Sequence, residues 1–334
     1  LGSTPRPGQL RLWTYQAIAH GAEGIVYFRF RTALFGMEQY WYGVLDHDGI
    51  PRRRFFEIKK TGEELKRLQN YIVNSKNSYD ALIVKSYDND WANDIKRHAH
   101  NYNYREHLYA FYKANADLNI TTAVSRGNYN QYKAVYMPAY NVVKDEEVEE
   151  IKSYVRNGGT LVLTFRSGTR DTYNNVRPLA VPGVFAELAG IEVEEFDALR
   201  AENSISGKIA GTSNIWCDII EPKTADVIST YDRDYYKGRA AITVNKYGSG
   251  KVYYVGCDLD SNAMKQLVEL ISENSGIKAI NAPEFVEMIK RDEYMIVLNH
   301  SAEKAAAPVK GFDLITESKF NGEIEPYGVA FVRL

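Results

Sequence analysis

Cysteine is nearly missing from this chain: Cys217 and Cys257 are the two among 334 residues. So few thiols build no disulfide framework, and no CxxC pair or Cys/His cluster offers a zinc site. Both cysteines sit in strand-like apolar surroundings and read as buried thiols. Long hydrophobic runs are missing too. No stretch reaches the roughly 18 apolar residues that a membrane span needs, so no membrane is expected as a partner. A dominant charge sign is also absent, since 41 Lys and Arg face 43 Asp and Glu for a formal net charge of −2. That balance gives the chain as a whole no attraction for nucleic acid or anionic lipid. There is no signal peptide and no initiating Met. Leu1 therefore reads as a cut point that says nothing about compartment. No internal repeat and no low-complexity segment occurs.

What is present is an ordinary globular composition, 45% hydrophobic and 25% charged. The length suggests two or three domains. Aromatic residues are many, with 25 Tyr and 4 Trp. They serve either to stack on sugar in a cleft or simply to fill cores.

The chain opens with an extended lead-in, "STPRPGQ". Leu10, Trp13, Ala17 and Ile18 then fall on one helical stripe that Gly21 stops. "GIVYFRF" from Gly24 is apolar without alternation, as expected of a strand buried on both faces in a parallel sheet. A long loop follows, then a helix over 55–73. Helix, strand, loop and helix in that order suit the final unit of an α/β barrel or of an open α/β sheet. The polar "NSKNS" at 74–78 marks a boundary. Beyond it, strands at Tyr79, Ile120, Ala134 and Gly159 alternate with helices over 91–115 and at "KDEEVEEIKSYVRNGG". That alternation predicts a doubly wound parallel sheet. Gly238 to Cys257 reads as an antiparallel hairpin turning at "KYGSGK", and "AMKQLVELISENSG" as a closing helix. Short strands from Ala282 predict a small antiparallel β domain. The expected organisation is thus residues 1–75, 76–278 and 279–334.

The long loop collects Arg29, Arg31, Glu38, Gln39, Tyr40, Trp41 and Tyr42. A carboxylate among aromatics is what a sugar subsite uses, because it accepts bonds from hydroxyls while an aromatic face covers the C–H side of the ring. The alternative is a plain ion pair of Glu38 with Arg29 or Arg31, with Trp41 as packing. His47 and Asp48 in "HDGIPRR" read as a structural turn. In the middle domain, "GTLVLTFRSGTRD" carries no cysteine after its strand. Ser167 lacks a G-x-S-x-G elbow, so the domain reads as non-catalytic.

"PRPGQLRLWTYQAIAHGAEGIVYFRFR", "FGMEQYWYGVLDHDG" and "YVRNGGTLVLTFRSGTRD" together resemble β-galactosidases of glycoside hydrolase family 42. The likeness runs over essentially the whole chain. It implies an α/β protein made of the end of a (β/α)8 barrel, a doubly wound trimerisation domain shaped like a glutamine amidotransferase, and a small antiparallel β domain. It implies a retaining hydrolase of terminal β-D-galactosides whose two catalytic glutamates lie upstream of this segment. The chain alone is then expected to be inactive and to carry no catalytic residue. By the same resemblance Phe28 matches an aromatic wall of the sugar site and Glu38 a contact to galactose hydroxyls. Trp41 stands where most members have a His. A Trp cannot accept a hydrogen bond, so α-L-arabinopyranosides, which lack the C6 hydroxymethyl of galactose, are an alternative substrate. No cofactor is implied and no metal for this chain, since the zinc cluster that some members of the family carry is expected outside it. A homotrimer and a cytoplasmic location are implied, with a non-catalytic oligomerisation module as the alternative role for the chain. An unpaired strand over 25–30 is further expected to make residues 1–75 associate with another copy or another segment.

Overall fold

The computed structural model describes residues 3–334. In chain order the elements are α1 (Gln9–Ala19), α2 (Arg53–Asn74), β1 (Ala81–Val84), α3 (Tyr87–Ile95), α4 (Tyr104–Asp117), β2 (Thr122–Ser125), β3 (Ala134–Met137), α5 (Asp145–Arg156) and β4 (Thr160–Thr164). Then come α6 (Ala186–Ala189), β5 (Ile191–Ala198), β6 (Asn203–Gly207), β7 (Gly211–Ser213), β8 (Trp216–Pro222), β9 (Asp226–Tyr231), β10 (Ala240–Tyr247), β11 (Gly250–Val255), α7 (Ser261–Ser275), β12 (Val286–Arg291) and β13 (Tyr294–Asn299). Short strands complete the chain, the last being Val329–Arg333. Two compact units result. One is Tyr79–Ala279; the other joins the residues up to Ser78 with Ile280–Leu334.

In the unit over 79–279, strands β2, β1, β3, β4 and β11 lie side by side in parallel. Their residues are short apolar blocks because both sheet faces are covered. Successive side chains point to opposite faces. Ala81 and Ile83 face a core made with Phe111, Leu267 and Ile271 of α4 and α7. Leu82 and Val84 face the other core, with Ile151 and Val155 of α5. Each such buried Val, Leu or Ile side chain contributes about 1.5–3 kcal/mol. Beyond β11 the sheet turns antiparallel through β10, β9, β6 and β7, with β8 pairing β10 and β5. The hairpin of β10 and β11 is the one read from "KYGSGK".

One helix expected over 91–115 is instead two. Arg170 donates to the carbonyls of Ala92 (3.4 Å) and Lys96 (3.2 Å), satisfying the end of α3. Asn103 then starts α4 afresh, its side chain accepting from Arg105 N and Glu106 N.

The other unit sets α1 and α2 against one face of the C-terminal antiparallel sheet. Leu12, Tyr15 and Leu68 share a core with Ile289, Ile296 and Phe331. Residues 1–75 and 279–334, read as separate from the sequence, therefore meet in one hydrophobic core. The opposite sheet face packs on itself through Met288, Val297 and Val332.

The buried strand expected from Gly24 is not formed. Residues 24–30 are extended but belong to no strand, and Val26 is 93% exposed. A strand buried on both faces needs a ladder on each side. Among the described residues this stretch is followed by a single parallel bridge, Arg31 to Leu45.

Candidate functional site

The loop after α1 is held at a neck. Val44 N donates to Arg29 O (2.8 Å), Leu45 N to Phe30 O (2.7 Å) and Thr32 N to Leu45 O (3.0 Å). Gly43 N donates to the Thr32 hydroxyl at 3.0 Å. A Cβ at Gly43 would lie 2.6 Å from both Thr32 N and Leu45 O, so only glycine fits this approach. The loop's outer half is tied inward. Arg31 Nε donates to His47 O at 2.9 Å, and the His47 ring lies 2.6 Å from Gln39 O. Asp48 accepts from Ile50 N and from both terminal nitrogens of Arg52. The Arg52 guanidinium, followed by the Ile50 N–H, holds the Asp48 carboxyl well below the usual carboxylate range. His47 and Asp48 thus build the turn.

Phe28, Arg29 and Glu38 form one contiguous group. The Arg29 guanidinium carbon stands 4.8 Å from the centre of the Phe28 ring, and its Nη2 donates to Glu38 Oε2. Of the two ion pairs open to Glu38, the structure forms the one with Arg29. The Glu38 side chain remains 47% exposed. Trp41 joins through the backbone, its N–H donating to Glu38 O at 3.0 Å, and its ring is exposed. Sequence reasoning offered the Glu38–Arg29 ion pair as the plain alternative and missed the contact of Arg29 with the Phe28 ring. Adjacent positions in an extended chain usually point apart, which hid that link.

The same unit has a groove of about 920 Å³ lined by Arg11, Glu64, Arg67, Lys304 and Glu325. Two ion pairs lie along it, Arg11 with Glu64 at 2.7 Å and Lys304 with Glu325 at 3.4 Å.

In the doubly wound unit, the tip of β4 carries a backbone feature that often marks function. Arg166 has φ 66°, in the left-handed region. Its guanidinium lies 4.0 Å from the Phe196 ring centre and 4.4 Å from that of Trp216. Ser167, beside it, is fully buried. Its hydroxyl accepts from Tyr140 N (3.2 Å) and donates to Met137 O (3.4 Å), which commits it to the backbone. His98 and His107 are pushed down to about 3 and about 4, first by burial, which keeps both rings neutral. Buried Asp218 accepts from Trp216 Nε1 (2.8 Å) and from the Tyr254 hydroxyl (2.7 Å), and burial raises its carboxyl to about 6. Burial lifts the Cys217 thiol to about 12 and that of Cys257 well above its ordinary value. Reactive cysteine is thiolate. A thiol titrant should therefore label almost none of the native protein at pH 8 and both thiols after denaturation. Fast native labelling would show that one thiol is accessible. Among the described residues, no group of three or more His, Cys, Asp or Glu is placed to hold a metal ion. Nor is any described helix long and apolar enough to cross a membrane.

Three family models match in succession. Residues 1–68 match "Beta-galactosidase", residues 80–278 match "Beta-galactosidase trimerisation domain", and residues 286–334 match "Beta-galactosidase C-terminal domain". β-Galactosidase BgaA of Clostridium cellulovorans is 32% identical over 99% of this chain and 52% of its own length. β-Galactosidase Pbg of Clostridium perfringens is 34% identical over 98% of this chain and 51% of its own. The crystal structure of β-galactosidase from Bacillus circulans sp. alkalophilus superposes with a TM-score of 0.95 at 32% identity, covering 99% of this chain and 53% of that one. Gan42B, a GH42 β-galactosidase from G. stearothermophilus, gives a TM-score of 0.92 at 27% identity, covering 99% of this chain and 51% of that one. The chain spans about half the length of the curated relatives it matches. With the trimerisation-domain model alone matching more than half of its residues, the chain belongs to the β-galactosidases of glycoside hydrolase family 42.

Proposed function

We propose that this chain serves a retaining β-galactosidase as the part that supplies sugar-binding side chains and assembles the enzyme. The observation that carries the reading is the Phe28–Arg29–Glu38 group on an aromatic loop within the stretch that matches the β-galactosidase model. Arg29 holds one oxygen of Glu38 and steadies the carboxylate, so the rest of it can accept bonds from sugar hydroxyls. Phe28 offers its face to the C–H side of the ring. Trp41 provides apolar surface and no acceptor at the place of the family's usual His. This favours sugars with less to satisfy there and keeps α-L-arabinopyranosides as the alternative substrate. Retaining hydrolysis needs two carboxyls about 5 Å apart, one as nucleophile and one as acid and then base. The reading assigns both to residues outside these 334. The partner is another copy of the chain, in a homotrimer. Two free thiols suit a cytoplasmic location.

The test is hydrolysis of p-nitrophenyl-β-D-galactoside by the purified chain, with its mass checked at 38.0 kDa. No turnover is expected, together with a weak saturation-transfer NMR signal from galactose that falls at least about fivefold in Glu38→Ala, as loss of a charged hydrogen-bond acceptor requires. Turnover at that mass would place the catalytic carboxylates within the chain. A galactose signal indifferent to Glu38→Ala would remove Glu38 from the sugar site.

A further inference from the structure

The chain's two cysteines are far apart in sequence and opposite each other in the fold. Cys217, in β8, and Cys257, just beyond β11, form an isolated antiparallel bridge. Two scattered cysteines among 334 residues would seldom share one bridge. The register is also the favourable one. Asp218 N donates to Gly256 O at 2.7 Å. That bond joins the neighbours of the pair, so Cys217 and Cys257 occupy a non-hydrogen-bonded site. Such sites bring opposed Cα atoms to about 4.5 Å and hold their side chains closest. Disulfides span Cα separations of about 4.4–6.8 Å, so the backbone already stands within bonding reach. Opposed residues of a bridge point to one face, and both thiols lie in the same core, with Ile219, Tyr231, Val255 and Met264.

The pair is sealed from water, with both side chains buried. Cys217 Sγ lies 3.9 Å from Ser213 Oγ, and the Tyr231 and Tyr236 hydroxyls also face it. Burial keeps both groups as thiols. Thiol–disulfide exchange needs a thiolate with access to its target. The folded chain therefore closes or opens the pair slowly, and the state of the pair is set while the chain folds.

The structure assigns Cys217 and Cys257 as a cross-strand disulfide site, closed when the chain folds beside a disulfide-class oxidant and left open under reducing conditions. One chain thiolate attacks a sulfur of the oxidant and expels the first oxidant thiolate. The second chain thiolate attacks the mixed disulfide and expels the other. Two S–H bonds of the chain are lost, one S–S bond forms, and two electrons and two protons leave on two oxidant thiols. The bond would clamp β8, in the antiparallel half of the sheet, to the end of β11, which pairs in parallel with β4. It closes a loop of about 40 residues, which restricts the unfolded chain and so stabilises the folded one.

The test is to unfold the full chain in urea and refold it by dilution, once with dithiothreitol and once with oxidised and reduced glutathione. Intact mass and maleimide uptake in urea count the thiols. With glutathione the chain is expected to lose two hydrogens, to take up no maleimide and to keep the circular dichroism of the reduced chain. Its melting midpoint should rise by roughly 5–10 °C over that of the reduced chain. Cys257→Ser, refolded in the same two ways, should show no such rise. A chain that refolds beside glutathione with both thiols open would overturn the assignment, as would one that closes the pair and melts lower. An equal rise in Cys257→Ser would overturn it too, since that variant cannot form the bond.

Discussion

Arg291→Ala is expected to destabilise the unit formed by residues up to 78 and 280–334 by about 2–4 kcal/mol, because several buried acceptors lose a charged hydrogen-bond donor at once. Arg291 is 6% exposed, at the end of β12. Its Nη1 donates to Ile18 O (2.9 Å) and Asn77 Oδ1 (2.6 Å). Its Nη2 donates to Ser75 O (2.6 Å) and Ile72 O (3.1 Å), and its Nε to Ser75 Oγ (3.2 Å). Ile18 closes α1, and Ile72 and Ser75 close α2. One guanidinium thus satisfies carbonyl ends of two helices that no intrahelical donor reaches. Alanine strips Ser75 O and Asn77 Oδ1 of this donor and leaves Ile18 O and Ile72 O with one donor each, Gly21 N (2.9 Å) and the Ser75 hydroxyl (3.3 Å). Lysine restores a charge but not the planar fork, and should recover only part of the loss. Hydrogen exchange reads the result, because protection should fall across 1–78 and 280–334 and hold across 79–279. A midpoint drop of roughly 10 °C or more is expected for that unit. A loss under about 1 kcal/mol would mean that water replaces the guanidinium at the helix ends.

Arg291 also shows why part of this fold cannot be read along the chain. In sequence it is the second half of "KR" beside an acidic residue, which is the signature of a solvated surface. Its burial depends on helix ends more than two hundred residues away. The fusion of the first 78 residues with the C-terminal sheet was hidden for that reason. The doubly wound sheet was legible because each parallel strand is a compact apolar block and each covering helix, such as α5, shows a one-sided stripe. Helix α3 broke that rule, and its apolar residues blended into α4 as one longer pattern. The antiparallel extension was only partly visible. β5 reads "IEVEEFDA", with three glutamates, and it owes its place to pairing with β8, some twenty residues on. At the candidate site, Glu38 and Trp41 stood out as a carboxylate among aromatics in one loop, their specific roles came from resemblance to a family, and Phe28 came from that resemblance alone. Apolar content misled at 24–30. That stretch has the composition of a buried strand, yet what decides is a ladder on each side, and composition does not encode the neighbour.

Acid should weaken the same unit through a second cluster. Glu287 on β12 accepts from Gln16 Nε2 (3.0 Å) and meets His20 Nε2 (2.7 Å) and His300 Nε2 (2.8 Å). Burial, the largest influence, raises its carboxyl. The bonds from His20 and His300 outweigh it together and bring the group down to about 2 from 4.5. A carboxyl lowered on folding stabilises the native state above its unfolded value, near 4.5, and loses that stabilisation as pH falls toward 2. The difference corresponds to something on the order of 3 kcal/mol, for a side chain 19% exposed. Many carboxylates titrate over this window, so the comparison must be with Glu287→Gln, which keeps the shape and removes the charge. At pH 5.5 the variant should be less stable by most of that amount. The gap should shrink through pH 4 and close near pH 2, where the native carboxyl is protonated too. A gap that stays constant from pH 5.5 to 2 would mean that Glu287 acts by shape and neutral hydrogen bonding alone. A gap that closes would show that α1, β12 and the turn after β13 are held together by one buried charge shared between two imidazoles.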